Sequence, residues 1–106
     1  MRSTTGAVTT DPALLEGLRG VLDPEIGVSV VDLGLVYGVW REGDGARVVM
    51  TMTTPACPLG GVIAAEARAT LMGRFADLRD VEVDVVFDPP WDPSRMTDAG
   101  RARLGW

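Results

Sequence analysis

Hydrophobic positions along the chain fall first at helical spacing, then in alternation, then at helical spacing and in alternation again. Leu14, Leu15, Leu18, Val21 and Leu22 recur at three- and four-residue intervals, which predicts a helix over residues 11–22 with one apolar face. Asp11 supplies a capping side chain, and Pro12 fits the first helical position, where no N–H is needed. Pro24 cannot continue that helix and disfavours helical geometry at Asp23. Residues 28–31 read as a short strand. Residues 33–40 read as a longer one, with Leu33, Leu35, Tyr37 and Val39 on one side and Gly34, Val36, Gly38 and Trp40 on the other. Residues 42–45, Glu-Gly-Asp-Gly, are a turn signal. Residues 47–53 then alternate, Val48, Met50 and Met52 against Val49 and the threonines. The two runs predict an antiparallel hairpin.

A second helix is predicted over residues 59–76. Leu59, Ile63, Ala67 and Leu71 form one stripe; Val62, Ala65, Ala69 and Met72 form another. Two apolar sides suit a helix packed on two surfaces, one of them in another subunit. The simpler reading is preferred: alanine is the best helix former and tolerates exposure. Residues 80–87 alternate cleanly, Val81, Val83 and Val85 facing one way and Glu82, Asp84 and Val86 the other, so one sheet face is wet and the helices cover the other. Residues 88–93 form a stiff proline-rich loop, and residues 97–104 a short closing helix. The predicted fold class is α+β: a small two-layer α/β sandwich in the order α-β-β-α-β-α, with helices on one face of a three- or four-stranded mixed sheet. Residues 1–10 are expected to be a flexible tail and residues 11–106 a single domain.

Composition narrows the function. With 46% hydrophobic and 24% charged residues, the 106-residue chain is globular. Its net charge is −5 and every basic residue is arginine, which argues against a nucleic-acid binder. The polar N-terminus and the lack of a long apolar run lead to the expectation of a cytoplasmic protein with no membrane segment. There is no histidine. That removes histidine acid–base catalysis, histidine-activated nucleophiles and most zinc sites. No phosphate-binding Gly-Lys-Ser/Thr loop is present. A single cysteine excludes an internal disulfide, a redox Cys-x-x-Cys pair and a four-thiolate site within one monomer.

That cysteine, Cys57, stands between Pro55 and Pro58 in TTPACPLGG. It lies where a strand ends and a helix begins, and Pro58 suits the first helical position. Free N–H groups and the helix dipole there favour a thiolate. Thr53 and Thr54 offer hydroxyls to a thiolate or a ligand. The alternative is a small buried residue filling a turn. A second group is acidic: Asp23 and Glu25 around Pro24, Asp32 before Gly34, and Asp88 and Asp92 around Pro89, Pro90 and Trp91. Carboxylates ligate iron and move protons, although aspartate next to proline more often caps or turns the chain. Trp91 either plugs the core beneath its loop or anchors a partner.

Together and in order, LDPEIGVSVVDLGLVYGV, VVMTMTTPACPLGGVI and VEVDVVFDPPWDPSRMTDAGRARLG resemble the metal–sulfur cluster assembly factor family. Its members include SufT-type proteins, PaaD-type accessory proteins and a domain that begins many Mrp/ApbC-type ATPases. The resemblance runs over about residues 11–105 and implies the α/β sandwich of iron–sulfur scaffold domains. It also implies a non-enzymatic part in assembling iron–sulfur clusters or passing them to client proteins. Cys57 matches the motif cysteine and would be the metal or cluster ligand. Asp23, Glu25 and Asp32 match its acidic positions, Thr53 and Thr54 its hydroxyls, and Asp88 and Trp91, with Pro89 and Pro90 between them, the closing loop. The cofactor implied is a labile iron–sulfur cluster or iron; the partners are the assembly machinery and its clients, and a homodimer would share a cluster between two thiols. PaaD-type members carry a further cysteine-rich tail, so the chain looks nearest to the SufT type. The competing reading is a metal-free adaptor that docks partners or apo-proteins through its acidic surface and the residue 88–91 loop.

Overall fold

A computed structural model describes residues 10–24, 26–52 and 60–105. Its elements are α1 (Pro12–Leu18), β1 (Val36–Glu42), β2 (Gly45–Met50), α2 (Gly60–Arg74), β3 (Val81–Val85), a 3-10 turn (Pro93–Arg95) and α3 (Asp98–Leu104). The sheet has three strands in the order β1-β2-β3. β1 pairs antiparallel with β2, and β2 pairs parallel with β3. The sheet is therefore mixed, as the predicted fold class has it. Glu42 pairs with Gly45 across a two-residue turn, so the hairpin closes where its sequence signals it.

The core lies between one sheet face and the first two helices. Leu14 and Leu18 of α1 and Ile63, Ala67 and Leu71 of α2 are buried against Val39, Val48, Met50 and Val81. Burying each such side chain contributes about 1.5–3 kcal/mol. Of the predicted first stripe of α2, Ile63, Ala67 and Leu71 are thus packed, and Leu59 lies outside the described residues. Its second stripe lies open, with Val62 52% exposed, except for Met72, which packs against the core. On the opposite sheet face Arg47 bridges Glu42, Glu82 and Asp84 at 3.3, 2.9 and 2.6 Å. This is the wet face that the alternation of residues 80–87 anticipates.

Three predicted elements change. α1 starts where expected, with the Asp11 carboxylate accepting from the N–H groups of Ala13 and Leu14. It ends four residues early, at Leu18 rather than residue 22. Gly17 and Gly20 weaken propagation, and the next residues find other backbone partners: Val30 N–H donates to Val21 O and Asp23 N–H to Val28 O. The strand predicted at residues 28–31 is accordingly reduced to a single bridge, Leu22 to Ser29. Residues 33–35 do not extend β1. They close a turn in which Leu33 N–H donates to Ser29 O and Leu35 N–H to Val30 O.

That turn docks the C-terminal arm. Gly34 has φ +75, a left-handed conformation that a side chain disfavours. A Cβ placed there would stand 2.2 Å from the Arg95 carbonyl oxygen. A Cβ on Gly100 of α3 would stand 2.4 Å from the Asp32 carbonyl oxygen, so α3 also sits directly on the turn backbone. Gly34→Ala is therefore expected to cost about 2 kcal/mol or more, roughly 10 °C in thermal midpoint for a domain of this size. A midpoint that does not move would show that the arm is not seated on this turn.

Candidate functional site

The carboxyl ends of β2 and β3 lie at one edge of the sheet, together with the start of β1. Val36 pairs with Met50, and Met50 pairs with Val85. Because β2 and β3 are parallel, the connection must return across the sheet, so α2 begins at this same edge. In open α/β sheets this is where ligands are usually met.

A groove of about 630 Å³ opens beside the edge, within the usual range for a binding cleft. Leu15 of α1, Val31 of the turn and Val36 of β1 supply its apolar lining; Arg19, Tyr37 and Arg95 supply most of its polar lining. Tyr37 is there because β1 is bulged. Val36 pairs with Met50 but Gly38 pairs with Val49, leaving Tyr37 as the extra residue. The bulge brings Val36 into register with core-facing Met50, and Val36 packs against the core. This corrects its predicted grouping with Gly38 and Trp40. The alternation could not show it, since one inserted residue reverses every later side of the strand.

The loop following β3 is fixed to this wall. The Tyr37 hydroxyl donates to Pro89 O at 2.6 Å. The Trp91 indole N–H donates to Leu33 O at 2.7 Å, and its half-buried ring packs on the core. Of the two sequence readings of Trp91, this geometry is that of the plug. Asp88, Pro89 and Pro90 are exposed, and the Asp88-Pro89 bond is cis. Asp92 caps the 3-10 turn, accepting from the Ser94 hydroxyl and, at 2.8 Å, from its N–H. These bonds hold its carboxyl below the usual carboxylate range. The folded carboxyl titrates below the unfolded one. The cap is therefore fully formed above the unfolded pKa and is lost only as pH falls through the lowered value.

The predicted site residues separate into three groups. Asp32 is half-buried and already occupied. Its carboxylate accepts from Arg19 at 3.0 Å and from the Thr97 hydroxyl at 3.0 Å, while its carbonyl accepts from Thr97 N–H at 2.9 Å. Thr97 in turn caps α3 through Gly100 N–H. Asp23 stands in the turn after α1, where its carbonyl accepts from Ile26 and Gly27 N–H groups. Glu25, Thr53, Thr54 and Cys57 lie outside the described residues. Among the described residues, no three His, Cys, Asp or Glu side chains converge to hold a metal ion, and no helix is long and apolar enough to cross a membrane. Sequence reasoning passed over Arg19, Tyr37 and Arg95. Only the neighbouring Gly34 and Gly38 hint that the backbone there is unusual.

Asp32 thus serves the fold as a clamp between α1 and α3. Asp32→Ala is expected to cost about 1–2 kcal/mol and to speed amide exchange most strongly over residues 97–105. Unchanged exchange there would remove the clamp.

Residues 12–85 match the family model described as iron-sulfur cluster assembly protein. The chain is 38% identical over 100 residues to the Fe-S protein maturation auxiliary factor YitW of Bacillus subtilis, covering 90% of this chain and 97% of that protein. It is 37% identical over 86 residues to the Fe-S protein maturation auxiliary factor SufT of Staphylococcus aureus, covering 80% and 97% respectively. A crystal structure of a domain of unknown function from Bacillus anthracis superposes with a TM-score of 0.84 at 39% identity, covering 89% of this chain and 90% of that one. The chain belongs to the iron-sulfur cluster assembly protein family.

Proposed function

We propose that this protein is an accessory factor in iron–sulfur cluster assembly or transfer, and that Cys57 is the sulfur that touches the cargo. The reading is supported by family membership taken with the position of the one thiol in the chain. Residues 53–59 leave the described chain at Met52 and rejoin it at Gly60, the start of a 15-residue helix. The first turn of such a helix carries unpartnered N–H donors and the positive end of its dipole, which favour a thiolate nearby.

One thiol per chain forces the cluster to be shared. The other ligands come from a second copy, a small thiol or the client itself, and a site so built releases its cargo readily. Asp23, Glu25, and Thr53 and Thr54 just before Cys57 in sequence, are the neighbours proposed to ligate or hydrogen-bond there. Asp32 joins them only by giving up Arg19 or Thr97, so its part is secondary. The partners on this reading are assembly proteins and client apo-proteins, and the protein itself catalyses nothing. An adaptor anchored by Trp91 is less well supported, because the indole is turned inward to Leu33.

Anaerobic reconstitution of the full chain with iron and sulfide tests the reading. The parent is expected to gain visible charge-transfer absorption, and Cys57→Ser to lose most of the bound iron and sulfide. Equal uptake by the two would exclude Cys57 as the ligand. Alkylation against pH is expected to place the thiol pKa below the ordinary value of about 8.5; an ordinary value would remove the activation.

A further inference from the structure

The two cations of the groove differ in what they already hold. Arg19 already faces two carboxylates, bonded at 3.0 Å to Glu16 and at 3.0 Å to Asp32. Arg95 makes no side-chain hydrogen bond and no ion pair with any described residue; its guanidinium carbon lies 4.6 Å from the centroid of the Tyr37 ring. Asp92 feels its charge through space but accepts its hydrogen bonds from Ser94. Of the described arginines, Arg74, Arg95 and Arg103 form no ion pair with a described residue, and of these only Arg95 lines the groove.

Arg95 is also held in place. Its ring platform, Tyr37, is re-aimed by the β1 bulge and tied by its hydroxyl to Pro89 O. Its own backbone lies against Gly34, where no side chain would fit. Asp92 caps the 3-10 turn that Arg95 closes. A stacked guanidinium keeps its donor edges free in a fixed plane, suited to two-point recognition of a carboxylate. Beside it lie Leu15, Val31 and Val36, apolar surface that gains from contact with an apolar side chain. An acidic residue next to an apolar one matches this layout, the carboxylate meeting Arg95 and the apolar side chain meeting the apolar lining.

We propose that the groove between the start of β1 and residues 89–97 docks an acidic segment of a partner protein. Arg95 receives a carboxylate, and the Leu15, Val31 and Val36 surface receives the neighbouring apolar side chain. The inference deepens the reading of this protein as an accessory factor that meets other proteins, and rests on it. It adds which surface makes the contact and what chemistry the partner brings.

The test uses the full, metal-free chain labelled with nitrogen-15 and two capped eight-residue peptides, one alternating leucine and aspartate, the other leucine and asparagine. The acidic peptide is expected to give saturable amide shifts centred on Val31, Gly34, Val36 and Thr97, weakening as salt rises. The neutral peptide and the Arg95→Gln variant should each bind about tenfold more weakly or worse. Arg95→Lys should restore part of the loss, and both variants should keep the parent thermal midpoint. Equal binding of the two peptides, equal binding by Arg95→Gln, shifts centred elsewhere or no saturable shift would each overturn the proposal. Neither iron nor sulfide is present, so failure here leaves cluster uptake by Cys57 standing, and failure of uptake leaves the groove standing.

Discussion

The turn over residues 29–35 has backbone groups that the sheet does not satisfy, and the C-terminal arm satisfies them. Trp91 donates to Leu33 O and Thr97 to Asp32 O, while Gly34 and Gly100 bring the turn and the arm into backbone contact. Buried carbonyls left without donors would each cost about 1–3 kcal/mol, so turn and arm are stable only together. The Asp32 carboxylate extends the same joint to α1 through Arg19. The placement of the C-terminal arm and α3 depends on this junction, whereas α1 is also held by α2 and the sheet.

The groove is a consequence of that junction. One wall is the turn and the bulged start of β1; the other is the arm, held at Pro89 by Tyr37 and at Arg95 by the close approach of Gly34. Much of each wall is irregular chain, yet it is tied by backbone bonds at several points. Tied irregular segments of this kind can hold a side chain in a fixed pose while leaving it open to a partner. The wet face of the sheet is different in kind. There a single arginine faces three carboxylates, so that face keeps an excess of negative charge.

Regular elements were legible where local chemistry and periodicity agree. The Asp11-Pro12 cap, the Gly43-Asp44 turn, the Ile63-Ala67-Leu71 stripe and the alternation from Val81 all stand as read. Residues 28–31 were misread because a run of valines looks the same whether it pairs along a strand or through one bridge beside a turn. The β1 bulge left no periodic mark, so the sides of Val36 and Tyr37 could not be assigned. Asp32 carried the signature of a free acidic residue, because the partners that occupy it, Arg19 and Thr97, lie 13 and 65 residues away in sequence. For Trp91 the sequence offered two readings, and the indole bond to the Leu33 carbonyl fits the plug. Cys57, Thr53, Thr54 and Glu25 fall outside the described residues, and their roles rest on the proposal alone.

Family membership points to an accessory part in iron–sulfur assembly, while the joint between turn and arm explains how a small sheet acquires a shaped edge. The claim on which the geometry rests is that residues 29–36 and 91–101 form one cooperative unit. Native-state hydrogen exchange of the full chain measures this directly, through the Trp91 indole and the amides of Leu33, Leu35 and Thr97. A common opening free energy for all four is the predicted result. Exchange of the Trp91 and Thr97 protons through a much cheaper opening, with Leu33 and Leu35 still protected, would contradict it.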